Sequence, residues 1–375
     1  MSKIFQLINS IQLGGAEIVA FNLAEYCKSN TPLEFEFVVV ELHKTKETYS
    51  IEKKKELDSK NVRTISLSKS SKRLSLFFGT FALAYQLLKE RPDIIHSHTD
   101  LPDFVLSNVI RLFSILRIKT PIIVRTIHNS ELWPTHQRLG KYTETAFVND
   151  RIVGVSEAAL NSYNNLRLKN DLLVSNYKQI IYNGCVVPKR MEHPFKIDTT
   201  KINIAFCGRL ESQKGIDILI ERIKLINKRF RDVFLFHIIG SGTYLHEVLH
   251  LSKKYTNILV YDAVPNVSDK LYEFDFIIMP SRFEGLGLIS IEASFSKVPV
   301  IAAFAPGLTE TLPTGWPLNF HLLSEEALLA IFEKISKHQY DLEVLKEQVY
   351  QFVSEKFSHN RMVNAYSKLY NEING

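Results

Sequence analysis

The stretch Met279-Pro-Ser-Arg-Phe-Glu-Gly-Leu-Gly-Leu-Ile-Ser-Ile-Glu292 decides how the chain is read. The apolar run from Phe276 to Met279 predicts a buried strand, which Pro280 and Ser281 end. Gly285 and Gly287 then permit a tight loop, and a helix follows. A helix start after such a loop presents unpaired backbone N–H groups and a partial positive charge, so it suits a phosphate. Glu284 and Glu292 lie eight positions apart, roughly two helical turns, so both carboxylates can project to one side of the loop and helix. Carboxylates accept hydrogen bonds from sugar hydroxyls but repel phosphate. The ligand that satisfies both features is a nucleotide sugar.

The rest of the chain fits a protein of that kind. A length of 375 residues suggests two domains, each able to bury its own core. With 45% hydrophobic and 23% charged residues, the composition is that of a soluble globular protein. Cys27, Cys185 and Cys207 are odd in number and widely spaced, which argues against a disulfide framework or a zinc site and favours a reducing cytoplasm. Met1-Ser-Lys runs directly into the strand-like Ile4 to Ile8, so no signal peptide is expected. The greasy stretch Leu74 to Leu88 is interrupted by polar residues and is shorter than the ~20 residues of a membrane span.

The first half alternates strand-like and helix-like segments, which predicts an α/β parallel sheet. Strands are expected at Ile4 to Ile8, Phe35 to Val40, Ile94 to His96, Ile122 to Thr126 and Ile152 to Val155. Leu13-Gly14-Gly15-Ala-Glu17 makes a glycine loop that opens a helix, without the G-x-G-x-x-G of a dinucleotide site. His96-Ser-His98 ends one strand but lacks the further ligands a metal would need. His128 follows another, at the edge where open α/β sheets place ligands. The polar stretch Lys189 to Lys201 reads as the interdomain linker.

The second half restarts the alternation. Lys201 to Cys207 reads as a strand, followed by Gly208-Arg-Leu-Glu-Ser-Gln-Lys-Gly215 and a helix with Ile216, Leu219, Ile220, Ile223 and Ile226 at helical spacing. Arg209 and Lys214 are two cations on a glycine-flanked loop, suited to neutralising a diphosphate as it leaves. No Asp-x-Asp occurs, so no bridging metal is signalled.

These motifs, in this order, resemble those of the retaining GT-B glycosyltransferases of family 4 (glycosyl transferases group 1). Glu284-x7-Glu292 inside Pro-Ser-Arg-Phe-Glu-Gly is similar to the family's E-x7-E signature, and Gly208 to Gly215 to its GRLxxxKG loop. Gly14-Gly15-Ala-Glu17 is similar to its Gly-Gly-x-Glu loop, and Val155-Ser-Glu and Tyr182-Asn-Gly184 to segments that close its first domain. The resemblance implies an α/β GT-B fold of two Rossmann-like domains facing each other across a cleft. It places an acceptor-side domain at 1–190, a nucleotide-sugar domain at 195–355 and a returning C-terminal helix at 356–375.

The implied activity is retaining transfer of a sugar from a nucleotide diphosphate, a UDP-sugar, to a saccharide or lipid-linked acceptor in bacterial-type surface polysaccharide or lipopolysaccharide synthesis. Arg209, Lys214, His128 and Glu284 would be catalytic. Gly14, Gly15, Gly208, Glu284, Gly285, Leu286, Gly287, Leu288 and Glu292 would bind the donor, Glu292 through its ribose and Glu284 through the sugar ring. Neither metal nor cofactor is expected beyond the substrate. The chain departs from the family pattern at Cys185, after Asn183-Gly184, at Lys297, and at Ala305-Pro306-Gly307, where a glycine pair is usual. An epimerase of the same fold and a non-catalytic nucleotide-sugar binder remain the rival readings.

Charge is uneven. Residues 1–191 hold 26 Lys+Arg against 18 Asp+Glu and residues 192–375 hold 20 against 22, giving +8 and −2. Lys53-Lys-Lys55, Lys60, Arg63, Lys69, Lys72 and Arg73 precede the apolar Leu74 to Leu88. That order suits an anionic membrane surface on the inner face of the cytoplasmic membrane, each cation contributing ~1 kcal/mol. A solvated basic face explains it as well. No motif supports nucleic acid.

Overall fold

The computed structural model describes residues 2–12, 14–26, 35–45, 47–68, 72–98, 100–192 and 194–374, with the side chains of 72–77 and 374 excepted. Leu13, Cys27 and Lys69, and the side chains of Lys72, Arg73 and Leu74, lie outside the described residues.

The chain divides into two compact units, Met1–Gly184 with His359–Gly375, and Cys185–Ser358. Unit 1 is built on strands β1 (Ser2–Ile8), β2 (Phe35–Glu41), β3 (Arg63–Ser66), β4 (Ile94–His98), β5 (Ile122–Ile127), β6 (Arg151–Gly154) and β7 (Lys178–Ile180). They form one sheet in the order β3-β2-β1-β4-β5-β6-β7, all parallel. Its helices are α1 (Gly15–Tyr26), α2 (Thr48–Ser59), α3 (Lys72–Glu90), α4 (Asp100–Ile115), α5 (Gln137–Glu144) and α6 (Glu157–Lys169). Strands buried on both faces need no polar alternation, and β2, with Phe37-Val-Val-Val40 buried, is such a strand.

Unit 2 repeats the plan with β8 (Ile202–Cys207), β9 (Phe234–Ile239), β10 (Ile258–Tyr261), β11 (Phe276–Met279), β12 (Val300–Ala303) and β13 (Asn319–Phe320). The order is β10-β9-β8-β11-β12-β13, again parallel. Helices α7 (Ile216–Arg229), α8 (Leu245–Lys254), α9 (Leu288–Phe295), α10 (Glu325–Ser336) and α11 (Leu342–Lys356) surround it. The expected apolar stripe of α7, from Ile216 to Ile226, is its buried face. The last helix, α12 (His359–Asn374), returns to unit 1, where Met362, Val363, Tyr366, Leu369 and Tyr370 join one face of the core.

In both sheets the order runs outward from the first strand in one direction and then resumes on its other side. Ligands of such sheets lie outside the strand C-termini where the order reverses. That point is between β1 and β4 in unit 1, and between β8 and β11 in unit 2.

The polar stretch 189–201 is not a free linker. The Lys189 N–H donates to Asp269 Oδ1 at 2.7 Å and the Met191 N–H to the Asp269 carbonyl at 3.1 Å. Phe195 is buried in the unit 2 core, its ring 5.1 Å from Tyr261 and 5.0 Å from Phe274. One aromatic anchor and two backbone bonds outweigh the polar composition, so this segment belongs to unit 2.

Candidate active site

In unit 2 the loops after β8 and β11 are laced together at the switch point. Gly215, at φ 71°, is where they come closest: a Cβ there would lie 1.7 Å from the Pro280 carbonyl oxygen. The Arg282 N–H donates to the Gln213 carbonyl at 2.9 Å, and Gln213 Nε2 donates to the Phe283 carbonyl at 3.3 Å. Arg282 grips Asp217 with two bonds of 2.7 Å, which commits its guanidinium to holding the loops. Gln213 and Arg282 were not singled out from the sequence, although an Arg inside the motif was a visible signal.

Within this frame Lys214 Nζ donates to both oxygens of Glu284, at 2.8 and 2.7 Å, and Ser281 Oγ donates to Glu284 Oε1 at 2.7 Å. Glu284 is 3% exposed. The motif reading assigns Lys214 to the diphosphate and Glu284 to the sugar; here the cation and carboxylate hold each other. Arg209 is exposed, and its side chain is bonded only to Gln213 Oε1, at 2.8 Å, among the described residues. Gly208 opens the loop, while Gly285 and Leu286 lie buried behind Glu284. Gly287 caps α9 and Leu288 begins it.

The departure at Ala305-Pro306-Gly307 also becomes clear. The Glu284 N–H donates to the Pro306 carbonyl at 2.9 Å. Gly307 has φ 76°, and a Cβ there would sit 2.2 Å from the Glu284 carbonyl oxygen. The remaining glycine thus sits where only a residue without a Cβ fits, and the Pro306 carbonyl fastens the loop to Glu284.

Glu292, on α9, is half-buried and has no hydrogen-bond or ion-pair partner among the described residues. Burial, with a smaller contribution from Asp269, pushes its carboxyl up to about 7. An unpaired carboxylate of this kind gains from any ligand hydroxyl that donates to it.

In unit 1, Gly14 precedes α1 and Gly15 begins it, and the Gly14 carbonyl accepts from the Ile18 N–H at 2.9 Å. Glu17 is buried, bonded by Gln12 Nε2 at 3.3 Å and raised by desolvation. A Cβ on Gly14 would come within 2.3 Å of Glu17 Oε2, so the glycine keeps the loop against that carboxylate. His128 follows β5, a strand anchored by the buried Arg125, which binds Glu144 at 2.5 Å, Asp103 at 2.8 Å and Asp150 at 3.1 Å. Burial lowers His128 to about 3, so the ring is neutral near pH 7.

His128 Nε2 lies 3.0 Å from His98 Nδ1. His96 is bonded through both ring nitrogens to Tyr370 and Thr126, and His98 through its second to Gln6. These bonds account for His96-Ser-His98 without a metal. Among the described residues, no group of three or more His, Cys, Asp or Glu is arranged to hold a metal ion.

Among the described residues the basic cluster is largely neutralised within unit 1. Lys53 pairs with Glu25 and Glu56, Lys54 with Glu41, Lys60 with Glu25 and Glu56, and Arg63 with Glu36 and Glu90. Spacing on α2 reveals only Glu56, three positions from Lys53 and four from Lys60; Glu25, Glu36, Glu41 and Glu90 lie on other elements. The apolar segment that follows the cluster does present an apolar row: Phe78, Phe81, Tyr85 and Leu88 of α3, at helical spacing, are all about half exposed or more.

Glycine loops at the two switch points define a class, and comparison with known proteins agrees. Residues 13–184 match the model of Glycosyltransferase Family 4 and residues 201–337 that of Glycosyl transferases group 1. The chain belongs to this family of glycosyltransferases. It is 28% identical over 323 residues to a Klebsiella pneumoniae protein described as an uncharacterized 41.2 kDa protein in the cps region, across 81% of this chain and 86% of the relative. It is 26% identical over 303 residues to the O-antigen biosynthesis glycosyltransferase WclY of Escherichia coli, across 76% of this chain and 80% of the relative. The crystal structure of Anabaena Alr3699/HepE in complex with UDP-glucose superposes with a TM-score of 0.77 at 15% identity, over 99% of this chain and 100% of that one. The fold is thus the GT-B fold of two Rossmann-like units.

Proposed function

We propose that the protein is a retaining glycosyltransferase that moves a sugar from a nucleotide diphosphate donor, a UDP-sugar, to a saccharide or lipid-linked acceptor of a bacterial surface polysaccharide. The observation that carries this reading is the Lys214–Glu284 pair, tied by Ser281 at the switch point of unit 2 beside the exposed Arg209. A diphosphate arriving there competes with Glu284 for Lys214, and the freed carboxylate becomes an acceptor for sugar hydroxyls. Glu292 takes the ribose. The N–H groups at Gly14 and Gly15 and at Gly287 and Leu288 add positive potential without a metal.

In the step we assign, the acceptor hydroxyl oxygen bonds to the anomeric carbon as the bond from that carbon to the phosphate oxygen breaks. The leaving phosphate takes the hydroxyl proton, and its new charge falls to Arg209 and Lys214. Neither Glu284 nor Glu292 acts as a nucleophile, in contrast to the carboxylate pair of a retaining hydrolase. His128 contacts the transferred sugar or the acceptor. The O-antigen glycosyltransferase relative and the protein from a cps region support a surface-polysaccharide acceptor, and the UDP-glucose complex of the Anabaena structure supports a UDP-sugar donor.

The test is incubation with a panel of UDP-sugars and acceptors in the presence of a chelator, with the product's anomeric configuration read by NMR. Retained configuration supports the reading. Inverted product, or turnover only after metal is restored, overturns it. Isomerised donor without an acceptor would instead identify an epimerase.

Membrane association belongs to the same proposal, carried by the apolar row of α3. No described helix is long and apolar enough to cross a membrane. Phe78, Phe81, Tyr85 and Leu88, with the exposed Lys89 and Arg91 just beyond, form a face that seats on anionic lipid.

A further inference from the structure

Six side chains of unit 1 form one chain of hydrogen bonds behind His128. His128 Nε2 and His98 Nδ1 are 3.0 Å apart, His98 Nε2 and Gln6 Oε1 2.7 Å, and Gln6 Nε2 and Tyr370 OH 3.0 Å. Tyr370 OH and His96 Nδ1 follow at 2.6 Å, His96 Nε2 and Thr126 Oγ1 at 2.6 Å, and Thr126 Oγ1 and Tyr366 OH at 3.0 Å. Gln6, His96, His98, Thr126, Tyr366 and Tyr370 are all buried, and none of their ring nitrogens, amide or hydroxyls in the chain is wasted. Burial depresses all three histidines, so each ring carries one N–H and one lone pair.

With neutral rings the chain has a direction. The Gln6 amide has its Nε2–H donating to Tyr370, so its oxygen must accept from His98 Nε2–H. His98 Nδ1 is then a lone pair and must accept from His128 Nε2–H. Onward from Gln6, the Tyr370 hydroxyl donates to His96 Nδ1, and His96 Nε2–H donates to Thr126. We propose that this chain holds His128 as the Nε2–H tautomer and leaves its Nδ1 as a hydrogen-bond acceptor for a substrate hydroxyl, with Gln6, His98 and Tyr370 as positioning residues. The inference rests on the assignment of His128 to the sugar or acceptor, and it names what that ring can do: accept a hydroxyl proton's hydrogen bond, not donate one.

The control point is Tyr370, on a helix 242 positions after His128 in the chain. Without the Tyr370 hydroxyl, the Gln6 amide loses its acceptor and is free to turn over and donate to His98 Nε2. His98 then carries its proton on Nδ1 and donates to His128, which must move its own proton to Nδ1. The substrate-facing lone pair is lost although no atom near the substrate has changed.

The test uses full-length protein with 15N-labelled histidine, the His128 signals being assigned through His128→Gln. Long-range proton–nitrogen spectra at neutral pH should show the Nε2–H tautomer for His128 in the wild type. Tyr370→Phe should shift the population to Nδ1–H and lower kcat about tenfold, with donor KM changed less than twofold. Tyr366→Phe deletes one hydroxyl from the same helix at the far end of the chain, so it should leave the His128 tautomer in place. That contrast separates positioning from a general loss of packing. His128 found as Nδ1–H or doubly protonated in the wild type, or a tautomer unmoved by Tyr370→Phe, overturns the proposal. If His128→Ala leaves kcat untouched, the role of His128 in transfer is what fails, and the tautomer spectra show that separately.

Discussion

The two units share a strand order but arm their switch points with opposite chemistry. Unit 2 presents charge: Lys214 against Glu284, Arg209 in the open, and Glu292 without a partner. Unit 1 presents neutral polar groups, with His128, His98 and His96 kept uncharged by burial and oriented by Gln6 and Tyr370. The difference fits two tasks. A leaving diphosphate needs cations that act when its charge grows, whereas choosing among hydroxyls needs acceptors and donors fixed in direction and free of net charge.

Removing a cation should cause the largest effect. Lys214→Ala should lower kcat about a hundredfold to a thousandfold, and Arg209→Ala by less because it is exposed, with donor KM moving less than kcat in each case. Steady-state kinetics on both variants checks this. An unchanged kcat in Lys214→Ala would mean that unit 2 merely holds the donor.

A smaller loss is expected where backbone, not charge, supports the site. Gly307→Ala forces a Cβ against the Glu284 carbonyl at positive φ, so it should cost on the order of 2 kcal/mol of stability. Circular dichroism melts should register it, and activity below the melting range should fall too, because the same contact holds Glu284. His128→Ala should cut turnover about a hundredfold while the melting temperature stays near the wild type.

The mildest effect concerns Glu292, and it carries a pH signature. Its folded carboxyl is raised to about 7, above the unfolded value, so the native state holds the extra proton between the two. Stability from this group is therefore full below the unfolded value and is lost as pH rises through about 7. Glu292→Gln should match the wild type in melting temperature near pH 4 and exceed it at pH 8. The same ionisation predicts that UDP binds the wild type more tightly as pH rises through about 7, and binds Glu292→Gln with little pH dependence and about tenfold more weakly at pH 8. Calorimetric titrations at several pH values check both slopes.

Unit 2 was the more legible unit because its site is local. Gly208 to Gly215 and Pro280 to Gly287 each carry their glycines and charges within a few positions, so a strand, a loop and a helix start can be read directly. What stayed hidden was pairing between loops: nothing in either segment says that Lys214 would bind Glu284 across 70 positions. Unit 1 hid more, since Gln6 and Tyr370 are separated by 364 positions. The available signal was Gln6 itself, a polar residue inside the apolar run Ile4 to Ile8 that must find partners once buried. The cations around Lys53 misled for a similar reason, because Glu25, Glu36 and Glu90 that neutralise them come from elsewhere in the fold. Among strands, β3 was missed because its four residues are half exposed at the sheet edge and show no apolar run.

The division of labour is tested most directly by measuring UDP affinity and kcat side by side in His128→Ala and Glu292→Gln. The account predicts that His128→Ala binds UDP as the wild type does but turns over about a hundredfold more slowly. It predicts that Glu292→Gln binds UDP more weakly but keeps kcat within a few-fold at saturating donor. The reverse pattern, with UDP affinity lost in His128→Ala and kcat lost in Glu292→Gln at saturation, would contradict it.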